Sequence, residues 1–118
     1  LAQVIPMPLY QTATAYQAHR ALLRTVRAHA VITSAARTTT RTTAAQLILK
    51  ARTAARYTLD CAQLAAYEAR KHDNAPPCDA QANITRQSAR DAHADALTAR
   101  DAMRDMIRAA QILYPKPH

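Results

Sequence analysis

Glycine, phenylalanine and tryptophan are absent from this 118-residue chain, and glutamate occurs once, at Glu68. Without glycine there is no Gly-rich phosphate loop, no dinucleotide fingerprint and no glycine-flanked nucleophile elbow. The tight two-residue hairpin, which needs positive φ from Gly, Asn-Gly or Asp-Gly, is also missing, so a β-sheet architecture is disfavoured. Long apolar runs are lacking too, and arginine recurs throughout, which excludes a transmembrane helix. Acidic residues are missing from the whole first half: Asp60 is the first, so residues 1–59 carry eight Lys or Arg with nothing to balance them.

What the chain has in quantity is alanine. Of its 49% apolar residues, 29 are Ala, against 22 Leu, Ile, Val and Met together. Alanine is the strongest helix former but buries little area, so the composition predicts long helices around a thin core. The six prolines fall at 6 to 8, 76 to 77 and 115 to 117, and helices are expected to fill the intervals. One helical module of 118 residues follows: an extended arm over 1–11, helices over 12–71 with a bend near 33–43, a loop over 72–83, a long helix over 84–114 and a tail over 115–118. The expected fold is all-α, with three or four antiparallel helices, a long C-terminal helical hairpin and extended Pro-containing ends.

Periodicity assigns a face to each helix. In the first, after a cap at Thr12 or Thr14, Ala15, Ala18, Leu22, Val26 and Ala30 mark the apolar stripe. In the second, capped from Ser34 or Thr43, the stripe is Ala44, Leu47, Ile48, Ala51, Ala55, Leu59, Ala62 and Ala66, with Thr58 and Ala65 at its edges and Lys50 off it. In the last, capped from Asn83, Thr85, Ala89, Ala92, Ala96, Ala99, Met103, Ile107, Ala110 and Tyr114 recur at close to seven-residue spacing. A chain so short of bulky side chains is expected to complete its core against neighbours.

Charge points the same way. The formal net charge of +8 belongs to the first half, because residues 60–118 carry eight of each sign. In the last helix Arg86, Arg90, Arg104 and Arg108 are expected on one flank, with Asp95, Asp101 and Asp105 on another. Spacings of four and three place Arg20, Arg24 and Arg27 on one face of the first helix. Arg37 and Arg41 extend the candidate basic contact set. Arginine outnumbers lysine 13 to 3, and its planar fork suits fixed interfaces with proteins or RNA better than loosely hydrated charge does. Phosphate backbones, anionic lipid head groups and acidic protein surfaces all fit such cations. The five tyrosines are not clustered among the arginines, so no base-stacking platform is indicated.

Catalytic patterns are missing. His19, His29, His72, His93 and His118 form no zinc motif, and His93 with Asp95 reads as an exposed pair on one helix. A single glutamate rules out the di-metal carboxylate bundle, and no haem-attachment motif exists, so no metal or cofactor is expected. Cys61 and Cys78 allow one disulfide, which would staple the hairpin, or two free thiols. Leu22-Leu23-Arg24 with Val26-Arg27 departs from the Leu-Tyr-Arg signature of small basic helical proteins in its central residue and spacing, so that family is not assigned. The start at Leu1 and the acid-free first half fit an imported, processed organellar protein. The expectation is therefore a non-catalytic accessory subunit of a large multiprotein assembly, mitochondrial and peripheral or soluble, such as a respiratory complex or ATP synthase. An rRNA-contacting subunit of an organellar ribosome and a small helical enzyme or haem binder are the alternatives.

Overall fold

In the computed structural model, residues 12–34 and 40–115 are described, and they form three α-helices: α1 Ala13–Ser34, α2 Arg41–Arg70 and α3 Ala80–Leu113. No strand occurs among the described residues. The arm at 1–11 and residues 116–118 of the tail lie outside them, as does Arg37. Residues 35–39 of the expected bend also lie outside them.

Helix starts are set by side-chain caps. The Thr12 hydroxyl accepts from the Ala15 N–H at 3.2 Å and opens α1. Thr40, in extended backbone, accepts from the Thr43 N–H at 3.1 Å and opens α2, so neither Ser34 nor Thr43 is its cap. Asp79 accepts from the Ala82 N–H at 3.1 Å and starts α3 four residues before the expected point. Asn83 instead lies inside α3, where its amide donates to the Pro77 carbonyl at 3.0 Å and ties the loop down. Arg86 does the same from one turn further on, donating to the His72 carbonyl at 2.7 Å.

Each helix packs on both others. Two buried threonines register α1 on α2. Thr25 donates to the Ala51 carbonyl at 3.3 Å, and Thr58 donates to the Ala18 carbonyl at 3.4 Å. A step of seven residues down α1 thus matches a step of seven up α2, and the two helices run in opposite directions along a reciprocal pair of contacts. Each hydroxyl also faces the carbonyl four residues back in its own helix, so neither is left without an acceptor.

The core is built from short side chains. One cluster joins Ala28 and Ile32 of α1, Ala44 and Ala51 of α2, and Met103 and Met106 of α3. The other joins Ala18, Cys61, Ala62, Ala65 and Ala92. Three expected faces are rotated as a result. Val26 and Ala30 face solvent while Ala21, Thr25, Ala28 and Ile32 turn inward, and in α2 Leu59 is exposed while Ala54, Thr58, Cys61 and Ala65 are buried. In α3, Ser88 and Met106 are buried beside the expected stripe. A helix touching two neighbours buries the strip between both contacts, and close approach admits Ala, Thr or Ser there in preference to Leu.

Cys61 and Cys78 are free thiols, one buried and one exposed, so the possible disulfide is not formed. Nine residues of helix separate Cys61 from the end of α2, about 14 Å of rise, whereas a bridge needs Cα atoms within roughly 7 Å. Cys78 is held at the loop end by the Asp79 cap beside it.

Ser88 is the exception to a satisfied interior: its Oγ is buried and has no hydrogen-bond partner among the described residues. Ser88→Ala is expected to raise stability by about 1 kcal/mol, because an unsatisfied hydroxyl is removed with almost no loss of volume. Thr58→Val, which deletes the hydroxyl between α1 and α2 while keeping the shape, is expected to lower it by about 1 kcal/mol. Chemical denaturation of the two variants beside the parent checks both signs.

Candidate functional site

The short-residue core leaves most large apolar side chains outside. Among the described residues, eleven Leu, Ile, Val or Tyr side chains are exposed, including Leu49 at 64%, Leu64 at 50% and Ile112 at 74%. Only Leu22, Ile32, Met103 and Met106 represent the large aliphatic residues inside. Scattered exposed leucines are ordinary on a protein surface. Here their number is set against a nearly leucine-free interior, and several share a face with cations.

That face lies between α1 and α2. A groove of about 750 Å³ runs along it, with Ala21 and Ala28 of α1 and Leu47, Ala51 and Ala54 of α2 as its floor. Val31 and Tyr57 stand at its sides, and Arg24, Arg27 and Lys50 at its rim. Among the described residues, none of α3 and no carboxylate lines it. Arg20 lies one turn before Arg24, with its guanidinium over the Tyr16 ring at 5.8 Å from the centroid.

The charges around the rim have no ion-pair partner among the described residues. The ion pairs formed among the described residues are Arg56 with Asp60, Arg100 and Arg104 with Asp101, and His19 with Asp95. Arg20, Arg24, Arg27 and Lys50 have no carboxylate partner among these. Of the two acids in α2, Asp60 lines an adjoining pocket with Thr53 and Tyr57 and pairs with Arg56, and Glu68 accepts from the Thr14 hydroxyl at 3.1 Å. The Tyr57 phenol is pushed above its usual range, first by the charge that Cys61 would carry one turn away, and it remains a neutral donor. Cys61 is itself pushed up, chiefly by burial and against a hydrogen bond from Tyr57, so it is a poor nucleophile.

Of the five expected basic contact residues, Arg20, Arg24 and Arg27 share one side of α1. Arg41 belongs elsewhere: with Ile48, Ile107 and Tyr114 it lines a separate cavity of about 640 Å³ between α2 and α3. Lys50 was not expected at the site. Its spacing within α2 marks it only as lying off the core, and the pairing of α1 with α2 brings it opposite the arginines. Of the charges expected on the two flanks of α3, Arg104 and Asp101 are joined by a hydrogen bond within the helix.

His93 and Asp95 do not form the expected pair. Asp95 turns toward α1, where its Oδ2 lies 3.2 Å from Nδ1 of His19, half-buried between the helices. His93 faces a smaller cavity between α2 and α3 with Leu59, Leu97, Arg52, Arg56 and Arg100. Among the described residues no three His, Cys, Asp or Glu side chains converge as metal ligands. Comparison with known families, curated proteins and solved structures finds no match to this chain.

The Asp95 carboxyl is pushed above the ordinary carboxylate range by burial, more than the neighbouring His19 lowers it. A native pKa above the unfolded value means that the folded state holds the proton more tightly. Its contribution to stability is therefore greatest below the ordinary carboxylate pKa and is lost as pH rises through the raised value. Asp95→Asn is expected to raise the melting temperature by a few degrees at most at pH 7 and to leave it unchanged at pH 3, where both side chains are neutral. Melting curves of the two proteins at the two pH values measure the difference.

Proposed function

We propose that this chain is a non-catalytic helical subunit, held within a larger protein assembly and contributing contact surfaces to it. The observation that carries the reading is the placement of the large apolar residues. Alanine, threonine and serine occupy the seam, and eleven large apolar side chains remain exposed among the described residues. Burying several of them against a partner would contribute roughly 1.5 to 3 kcal/mol for each one fully covered, more than the alanine seam supplies per residue. In this reading the three helices form an antiparallel array whose α2–α3 hairpin is the rigid frame, and partners complete the core from outside.

Cations without acids sharpen the reading. A phosphate backbone would satisfy Arg24, Arg27 and Lys50 but leave Val31, Leu47 and Tyr57 uncovered, so a protein surface suits the face better than RNA does. The mitochondrial destination, in a respiratory complex or ATP synthase, rests on the acid-free first half of the chain. A peripheral place in such an assembly suits a chain in which no described helix is long and apolar enough to cross a membrane.

A photo-crosslinker placed at Leu64 or Leu59 in the tagged native protein tests this directly. The chain is expected to migrate with an assembly much larger than one or two copies of itself, with both positions joined to defined neighbours. Replacing Leu59 and Leu64 with Lys should release it. Migration of the native protein as a monomer, with neither position crosslinked, would overturn the proposal.

A further inference from the structure

The α1–α2 groove has a repeat as well as a charge. Gln17, Arg24 and Val31 stand seven residues apart along one edge, and Lys50 and Tyr57 stand seven apart along the other. The floor repeats in the same way through Ala21 and Ala28 and through Leu47 and Ala54. Seven-residue spacing on an open helix face is the pattern that a further helix reads, because knobs from the incoming helix fall into holes at that interval. Alanines on the floor permit close approach, and the groove from Gln17 to Val31 is about 21 Å long, roughly four turns of helix.

The rim sets the sign of the occupant. Arg24, Arg27 and Lys50 edge an apolar floor with no carboxylate in the lining, and none of the three has an ion-pair partner among the described residues. A second copy of this face would bring like charges together. An anionic lipid surface would match the charge but has no use for a seven-residue repeat at the bottom of a concave groove. We infer that the groove between α1 and α2 receives an amphipathic helix of a partner protein, with small or aliphatic residues toward Ala21, Ala28, Leu47 and Ala54 and Asp or Glu along both flanks. This rests on the accessory-subunit reading and names the chemistry of one partner.

The test uses the full chain and a fluorescein-labelled synthetic helix of about three heptads, with Leu and Ala on its seam and Glu on its flanks. Fluorescence anisotropy is expected to give saturable one-to-one binding that weakens with added salt. Arg24→Glu combined with Lys50→Glu is expected to weaken it at least tenfold. The same reversals at Arg90 and Arg108 on α3 should change it less than twofold. All four sites are exposed, and circular dichroism verifies that the variants keep their helix content. Thr53→Trp, at an exposed position of the same lining, blocks the groove without changing charge and should also abolish binding.

Absence of binding by the Glu-flanked helix would overturn the inference. So would equal binding by a Lys-flanked copy or an unchanged affinity in the Arg24→Glu, Lys50→Glu variant. Binding to phosphatidylglycerol vesicles, lost in that variant while the acidic helix does not bind, would assign the groove to lipid instead. With the crosslinker also placed at Val31 and Tyr57 of the groove, native crosslinks from Leu59 or Leu64 but none from Val31 or Tyr57 would remove this inference and leave the accessory-subunit reading standing, whereas a native monomer would remove both.

Discussion

Three helices share one seam only if the side chains between them are short, and this requirement governs everything else in the molecule. Ala18, Ala62, Ala65 and Ala92 let the backbones close on one another at one end, with Cys61 as the bulkiest member of that cluster. Ile32, Met103 and Met106 are buried together toward the other end. Thr25 and Thr58, among the largest fully buried side chains, fit because each hydroxyl hydrogen-bonds across the seam. Close packing of this kind fixes geometry well but removes little apolar area from water per residue.

The outward placement of leucine, valine and tyrosine is the other side of the same constraint. A leucine in place of Ala18, Ala62, Ala65 or Ala92 would push the helices apart, and Leu59, Leu64 and Leu97 lie on the surface. Cations collect beside such residues on the α1–α2 face because the first half of the chain contains no acid to pair with them. Apolar grip and uncompensated charge thus coincide in one groove, and each alone would be far less selective than the two together.

The helical class was legible from the absence of glycine, the abundance of alanine and the grouping of proline, and the Pro76-Pro77 loop was legible from its own residues. Caps were less so. Thr40 competes with four neighbouring threonines, and Asp79 stands beside a proline pair that makes the loop look longer than it is. Rotation of the faces was the main loss. A periodicity reading favours the bulkiest residues, whereas contact with two neighbours at once selects the strip holding Ala54, Thr58 and Ala65 in preference to Leu59. The row of Arg20, Arg24 and Arg27 could be seen because one helix carries it. Lys50, and the pairing of His19 with Asp95, depend on how separate helices face each other, which spacing within one helix does not encode.

Calorimetry of the isolated chain at two concentrations bears most directly on the claim that this seam is too thin to stand by itself. The account predicts a broad, weakly cooperative transition below about 45 °C, at the bottom of the range for small domains. A sharp two-state transition above about 65 °C, unchanged by dilution, would mean that the alanine seam suffices without a partner.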